Sequence, residues 1–267
     1  MNKLYVIKIG GNIIDDASNL SSFLKEFANL PGKKILVHGG GKRATRLADQ
    51  LGIPQQMVDG RRITDQQTLE IVTMVYAGSI NKNIVSQLQQ YSCNAIGLTG
   101  ADGNAITAHK RIKKDIDYGF AGDIDTVNTS FISHLLEGVN TIVLAPITHD
   151  GNGQLLNTNA DTIAQEMATA MSQTYEVNLV YVFEKAGVLL DTEDDATVIP
   201  HLDPPSYEDL KSRKLIFAGM IPKLDNAFAA LDKGVSRVII GKSQHLEELA
   251  NGRNGTLITN SHVSAQN

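Results

Sequence analysis

The chain has 267 residues, 42% of them hydrophobic, enough to fill the core of one large α/β domain or of two modest lobes. Its 24 basic and 29 acidic residues leave a formal charge of −5 with no long block of either sign, so nucleic-acid or membrane attraction has no electrostatic support and an anionic ligand must be met locally. One cysteine, Cys93, excludes a disulfide framework and a CxxC metal site; no apolar run reaches the ~18 residues of a membrane span, and no signal-peptide layout precedes the first strand, which predicts a cytoplasmic protein.

In chain order, LYVIKI (4–9) reads as a strand, and Leu20, Phe23, Leu24 and Phe27 give the i, i+3, i+4, i+7 stripe of a helix. ILVH (35–38) is the next strand, followed by the helical stripe Ala44, Leu47, Ala48 and Leu51. Thr64 with Gln67 forms a capping-box pattern that predicts one long helix through Leu69, Val72, Val75, Tyr76, Ile80 and Ile84. NAIGLT (94–99) returns to strand, and 104–127 reads as a hairpin placed like a flap over a site. TIVLAPI (141–147) reads as a single buried strand, HDGNG as a turn, and Ile163, Ala164, Met167 and Met171 as a helical face. Then come strand VNLVYVF (177–183), an Asp-rich turn, helices near 206–213 and 221–233, and strand RVIIG (237–241). This alternation predicts an α/β protein, a three-layer αβα sandwich around a mainly parallel sheet. The polar stretch at 172–176 divides it into lobes 1–175 and 176–267.

Several residues are out of place for a purely structural role. Lys8 lies inside the first strand, where an ammonium is costly to desolvate unless an anion meets it; a lysine snorkelling out at a sheet edge is the alternative. Gly10-Gly11 and Gly39-Gly40-Gly41 directly follow the first two strands, where bare backbone N–H groups can face a phosphate; tight turns would need the same glycines. The string from Gly39 to Ala44 also matches a relaxed GxGxxA, with Asp59 about twenty residues on, so a dinucleotide-binding oxidoreductase stays open, although it leaves Lys8 unexplained. Pro222 marks a helix start with Lys223 directly after it, a cation at the wrong end of a dipole unless an anion binds there or Asp225 compensates. In LLNTNADTIA, Asn159 and Asp161 are either helix caps or, for Asp161, a carboxylate able to hold two lysines. Arg61-Arg62 could grip a carboxylate in bidentate fashion.

Together, IKIGGN, VHGGGKRA, DGRRIT, NKNIV, IGLTGADGN, DYGFAGDI, LLNTNAD, GMIPKL and the late Gly255-Thr256 resemble the amino-acid kinase family over nearly the whole chain. The likeness is greatest to members that phosphorylate an N-acylated glutamate. It implies a carbamate kinase-like fold whose first lobe holds the acylated amino acid and whose second holds ATP. By motif, Lys8 and Lys223 would stabilise the moving phosphoryl group and Asp161 would orient both. Gly10 and Gly11 would offer N–H groups to the phosphates, and Gly40 and Gly41 would contact substrate. Arg62, chosen over Arg61 by the G-x-R-x-T pattern from Gly60 to Thr64, would bind substrate carboxylates with Asn157. Glu184 and Gly187 would belong to the nucleotide pocket.

The implied reaction is transfer from ATP to the γ-carboxylate of N-acetyl-L-glutamate, the second step of arginine biosynthesis, with Mg²⁺ carried by the nucleotide and no metal held by side chains. A succinyl in place of the acetyl group, and aspartate, glutamate, carbamate or uridylate as acceptors, remain alternatives. Because a carboxylate is already ionised at pH 7, with a reference pKa of about 4.3, no catalytic His or Cys is required. Small-molecule partners and a homodimer without arginine feedback are expected, since the N-terminal helical extension of arginine-inhibited members is lacking. One departure stands out: Phe183, Glu184, Lys185, Ala186 and Gly187 occupy the place of the family's Thr or Ser followed by Asp-Val-x-Gly.

Overall fold

The computed structural model describes residues 2–58, 60–113 and 115–260, except for the Ala218 side chain. Asp59, the acidic residue of the dinucleotide alternative, lies outside these residues. β1 (Lys3–Ile9) is buried from Leu4 onward, as a strand covered on both faces must be. Gly10 turns it into the short α1 (Gly11–Asp15), and Asp16 then caps α2 (Ala17–Asn29) by accepting from the N–H groups of Ser18 and Asn19. β2 (Lys33–His38) and α3 (Gly41–Gln50) repeat the strand-to-helix step, and the ribbon β3 (Met57–Val58) with β4 (Arg61–Arg62) leads to α4 (Gln66–Thr73).

Two expectations fail in this region. Asp65, rather than Thr64, caps α4, accepting from the Thr68 N–H at 2.8 Å. Thr64 is fully buried instead, with its carbonyl accepting from the Phe120 N–H and its own N–H donating to the Tyr118 carbonyl. The long helix is also interrupted, because Met74–Ile80 forms a π-helical segment between α4 and α5 (Asn81–Gln90). A widened turn shifts side chains by one position without changing their apolar character, so spacing alone reads straight through it.

After β5 (Ala95–Leu98) come the expected hairpin strands β6 (Ile106–Lys113) and β7 (Ile116–Val127), then α6 (Thr129–Val139) and β8 (Thr141–Leu144). TIVLAPI is thus not one strand: Pro146 has no N–H to continue the ladder, and β9 (Ile147–His149) starts in a different sheet. β10 (Leu155–Thr158), α7 (Ala160–Met171), β11 (Glu176–Phe183), β12 (His201–Leu202) and α8 (Pro204–Ser212) follow, then α9 (Ile221–Asp232), β13 (Arg237–Lys242), α10 (Leu246–Ala250) and β14 (Thr256–Ile258).

The main sheet has eight strands in the order β12-β14-β13-β11-β1-β2-β8-β5, and every neighbouring pair except β13–β14 is parallel. β1 pairs directly with β11, so one sheet runs unbroken across residue 175. A small closed sheet, β10-β7-β6-β9, stands beside it and contains the hairpin. Successive β1 side chains alternate between the two helical layers. Tyr5, Ile7 and Ile9 pack with α2, α3 and the π-helical segment, whereas Leu4 and Val6 pack with α6, α7, α8 and α9. Lys8 continues the Leu4–Val6 row, toward α7.

A second buried lysine shows what a structural role looks like. Lys34 is 4% exposed, and its ammonium donates to the carbonyls of Phe27 (3.2 Å), Ala28 (3.1 Å) and Leu30 (2.7 Å) at the C-terminus of α2. A cation there complements the helix dipole and pairs carbonyls that the helix leaves open. Burial lowers its pKa. Lys34→Met is expected to reduce stability by about 2–3 kcal/mol, read from the denaturant midpoint, because the apolar chain keeps the volume but strands the carbonyls.

Candidate active site

The carboxyl ends of the parallel strands β1, β2, β11 and β13 share one edge of the sheet, where open α/β folds place their ligands. Lys8 lies one residue before the end of β1, in register with Val37 of β2 and Tyr181 of β11. Its side chain is 10% exposed, and its Nζ lies 2.8 Å from Oδ1 of Asp161, whose side chain is 41% exposed. The approach is close but off the hydrogen-bonding axis, since Oδ1 receives no aligned hydrogen bond. The ambiguity over α7 is thereby resolved. Asn159 is the cap, accepting from the N–H groups of Asp161 (2.8 Å) and Thr162 (3.1 Å), which leaves the Asp161 carboxylate for Lys8.

Lys223 reaches the same place from the other side. Pro222 sits in the first turn of α9, as expected, and Lys223 follows it. Asp225 is not its partner, being held by the Tyr207 hydroxyl (2.6 Å) and the Lys211 ammonium (3.0 Å). The Lys223 ammonium instead lies 3.9 Å from the centroid of the Phe183 ring, and Lys8 Nζ lies 5.5 Å from the same centroid. Although Lys223 is exposed as a residue, its ammonium is partly desolvated, and this lowers its pKa; Asp161 opposes the shift and Lys8 adds to it. The two lysines and Asp161 therefore share one electrostatic environment, as their distant positions in the sequence required.

Three clefts meet here. A first, of about 230 Å³, is lined by Lys8, Gly40, Gly41, Arg62, Asn157 and Asp161, among others. A second, of about 470 Å³, is shared by Gly10, Gly11, Lys42, Phe183, Glu184 and Lys242, and a third, of about 480 Å³, by Arg61, Asp161, Tyr181, Phe183, Pro222 and Lys223. Asp161 joins the first to the third, Phe183 the second to the third, and Gly10-Gly11 the first to the second.

The glycine loops fit as backbone walls. Gly40 has φ +151°, and a Cβ there would lie 2.4 Å from Ile80 Cδ1, on the π-helical segment, so any other residue would be strained in this loop and would have to displace that wall. At Gly10 a Cβ would lie 3.9 Å from Lys8 Nζ, so its absence keeps the approach to the ammonium open. Arg62 is 7% exposed; it donates to Gln55 Oε1, to the Gly41 carbonyl (3.0 Å) and to Thr45 Oγ1 (2.9 Å), and a carboxylate must share it with these groups. Asn157 donates through Nδ2 to Thr64 Oγ1 at 3.0 Å.

Gly187 stands apart. It is buried away from the clefts, where a Cβ would lie 2.6 Å from Thr256 Oγ1 and from Val198 Cγ2; it is a packing glycine. The near-miss lysine of VIIGKS, Lys242, lines the second cleft and is paired with Asp195. Sequence reasoning set Arg61 aside in favour of Arg62, yet Arg61 faces two clefts, and it gave no site role to Tyr76, brought in by the π-helical segment, or to Phe183. Of these last two only Phe183 carried a signal, as a departure from the family pattern.

The arrangement suits a chain of phosphates, offering two ammonium groups, one carboxylate and bare loop backbone. Among the described residues no group of three or more His, Cys, Asp or Glu side chains could hold a metal ion, and no helix is long and apolar enough to cross a membrane.

Comparison with known proteins agrees with this chemistry. The chain is 59% identical over 252 residues to an acetylglutamate kinase of Cytophaga hutchinsonii, covering 94% of this chain and 96% of that one. It is 53% identical over 246 residues to an acetylglutamate kinase of Phocaeicola vulgatus, covering 92% and 96%. Among solved structures, the N-acetylglutamate synthase of Neisseria gonorrhoeae, in a complex with coenzyme A and N-acetyl-glutamate, superposes with a TM-score of 0.81 at 23% identity over 97% of this chain and 60% of that one, a likeness of fold. A family model matches residues 3–242, nearly the whole of the fold described above, and it replaces the dinucleotide alternative: this chain is a kinase and belongs to the amino acid kinase family.

Proposed function

We propose that the protein transfers the γ-phosphoryl group of ATP to the γ-carboxylate of N-acetyl-L-glutamate, giving an acyl phosphate and ADP at the second step of arginine biosynthesis. The observation that carries the reading is the convergence of Lys8, paired with Asp161, and Lys223 on one aromatic ring, Phe183, where three clefts join. The names of the two acetylglutamate kinases above point to the same acceptor.

In this reading, residues 1–175 hold the acylated amino acid and 176–267 the nucleotide. Arg62 and Asn157 bind the substrate carboxylates, Gly40 and Gly41 support the acceptor, and Gly10 and Gly11 present N–H groups to the phosphates, with Glu184 at the nucleotide's end of the cleft. ATP supplies the phosphoryl group, and Mg²⁺ arrives bound to its phosphates. The acceptor is ionised at neutral pH, so the site needs no base. What remains for the protein is alignment of the two reactants and neutralisation of charge spread over the transferring oxygens. Lys8 and Lys223 do this from two sides, and Asp161 keeps Lys8 aimed while leaving the pair with net positive charge. The same reading places the enzyme in the cytoplasm as a homodimer.

The test is ADP release by the purified protein with MgATP and, in turn, N-acetyl-L-glutamate, N-succinyl-L-glutamate, L-glutamate, L-aspartate, carbamate and UMP, each with and without arginine. The highest kcat/KM is expected for N-acetyl-L-glutamate, with no inhibition by arginine. Absence of ADP release with either acylglutamate removes the proposal.

A further inference from the structure

Phe183 ends β11 where the family pattern has a hydroxyl residue, and it belongs to both the second and the third cleft. Its ring stacks on Tyr181, with centroids 6.1 Å apart and planes inclined by 16°, and its backbone is fixed in register with Lys242 of β13. The ring is thus mounted on the central sheet and backed by a second aromatic. Lys223 Nζ lies 3.9 Å from its centroid, and among the described residues Lys223 forms no ion pair or hydrogen bond. The π face of an aromatic ring attracts a cation within about 6 Å.

We propose that Phe183 is the positioning residue of Lys223: its ring face holds the ammonium over the junction of the clefts before the phosphoryl donor arrives. The proposal rests on the phosphoryl-transfer reading above. A lysine at the exposed start of a helix has four rotatable carbons and a strong preference for water, so without a partner its ammonium would spread over many positions. A carboxylate could localise it, but would bring a negative charge that repels the incoming phosphates. An aromatic face localises the cation while adding no net charge and no acceptor atom that competes with the phosphoryl oxygens. Asp161 cannot serve both lysines equally, since its Oδ1 is 2.8 Å from Lys8 and it forms no ion pair with Lys223. Phe183 thus does for Lys223 what Asp161 does for Lys8.

The test compares Phe183→Leu, Phe183→Tyr and a series in which Phe183 is replaced by mono-, di- and trifluorinated phenylalanine. Fluorination weakens the negative face of the ring in steps while nearly keeping its shape, a change that a packing role would not register. The kcat for ADP release is expected to fall about tenfold in Phe183→Leu, to stay within about twofold in Phe183→Tyr, and to decline with each added fluorine, with KM for N-acetyl-L-glutamate unchanged. A flat fluorine series, or a series that moves only KM for ATP because the ring stacks on the base, overturns the proposal. Should Phe183→Leu fail to fold, the fluorinated series decides alone. Failure of the unsubstituted protein to turn over would instead count against the phosphoryl-transfer reading, so the two failures are distinguishable.

Discussion

Lys8→Ala is expected to lower kcat by about three orders of magnitude while the protein still folds. The ammonium stands at the junction of the clefts, 2.8 Å from Asp161, and the bare backbone of Gly10 leaves the approach to it open. In the proposed reaction, charge on the transferring phosphoryl group develops there, so the lost interaction would belong to the transition state more than to the bound substrates and should appear in kcat rather than KM. The fold is expected to survive because the Asp161 side chain is 41% exposed and the space left by the lysine side chain opens its buried Oδ1 to water. Steady-state kinetics with circular dichroism of the variant provide the check; turnover within about tenfold of the unsubstituted enzyme would remove Lys8 from the chemistry.

Lys223→Met is expected to lower kcat by about two to three orders of magnitude without lowering stability. Desolvation and the nearby Lys8 depress the Lys223 pKa in the folded protein below its unfolded value. Below the folded value the charged lysine disfavours folding, and this cost is relieved as pH rises toward the ordinary lysine range, because the unfolded chain then holds more protons than the folded one. Methionine removes the cost, so the thermal midpoint at neutral pH should stay level or rise while activity collapses. The same shift fixes the sign of a pH effect: kcat/KM should fall on the alkaline side at a lower pH than a free lysine would give, and Lys223→Arg should move that limb upward. A clear loss of thermal stability in Lys223→Met would show a structural cation like Lys34.

The contrast between these lysines explains why so much of the site was legible in the sequence. Lys8 interrupts an apolar strand and Lys223 opposes a helix dipole; each breaks a local rule, and such violations collect where a ligand supplies the compensation. Lys34 breaks the same rule in β2, yet its compensation is the end of α2, a contact that the sequence around it does not announce. The alternation of strands and helices was readable because a parallel sheet covered on both faces demands continuous apolar runs. The widened turn at Met74–Ile80, the break at Pro146 and the cap at Asp65 were not, since each depends on a choice of one residue that leaves the apolar pattern unchanged. Gly187 shows the converse, for a glycine demanded by packing against Thr256 looks the same in sequence as one that faces a phosphate. Phe183 was visible only as an exception, and its meaning came from where Lys223 lies.

The most direct measurement is a crystal structure of the protein with ADP, Mg²⁺, N-acetyl-L-glutamate and aluminium fluoride, whose planar group imitates the phosphoryl unit midway between donor and acceptor. Both ammonium groups are expected within about 3 Å of its fluorines, one from each side of the cleft. A planar group seated between the reactants with either lysine beyond hydrogen-bond reach would contradict the shared-phosphoryl account.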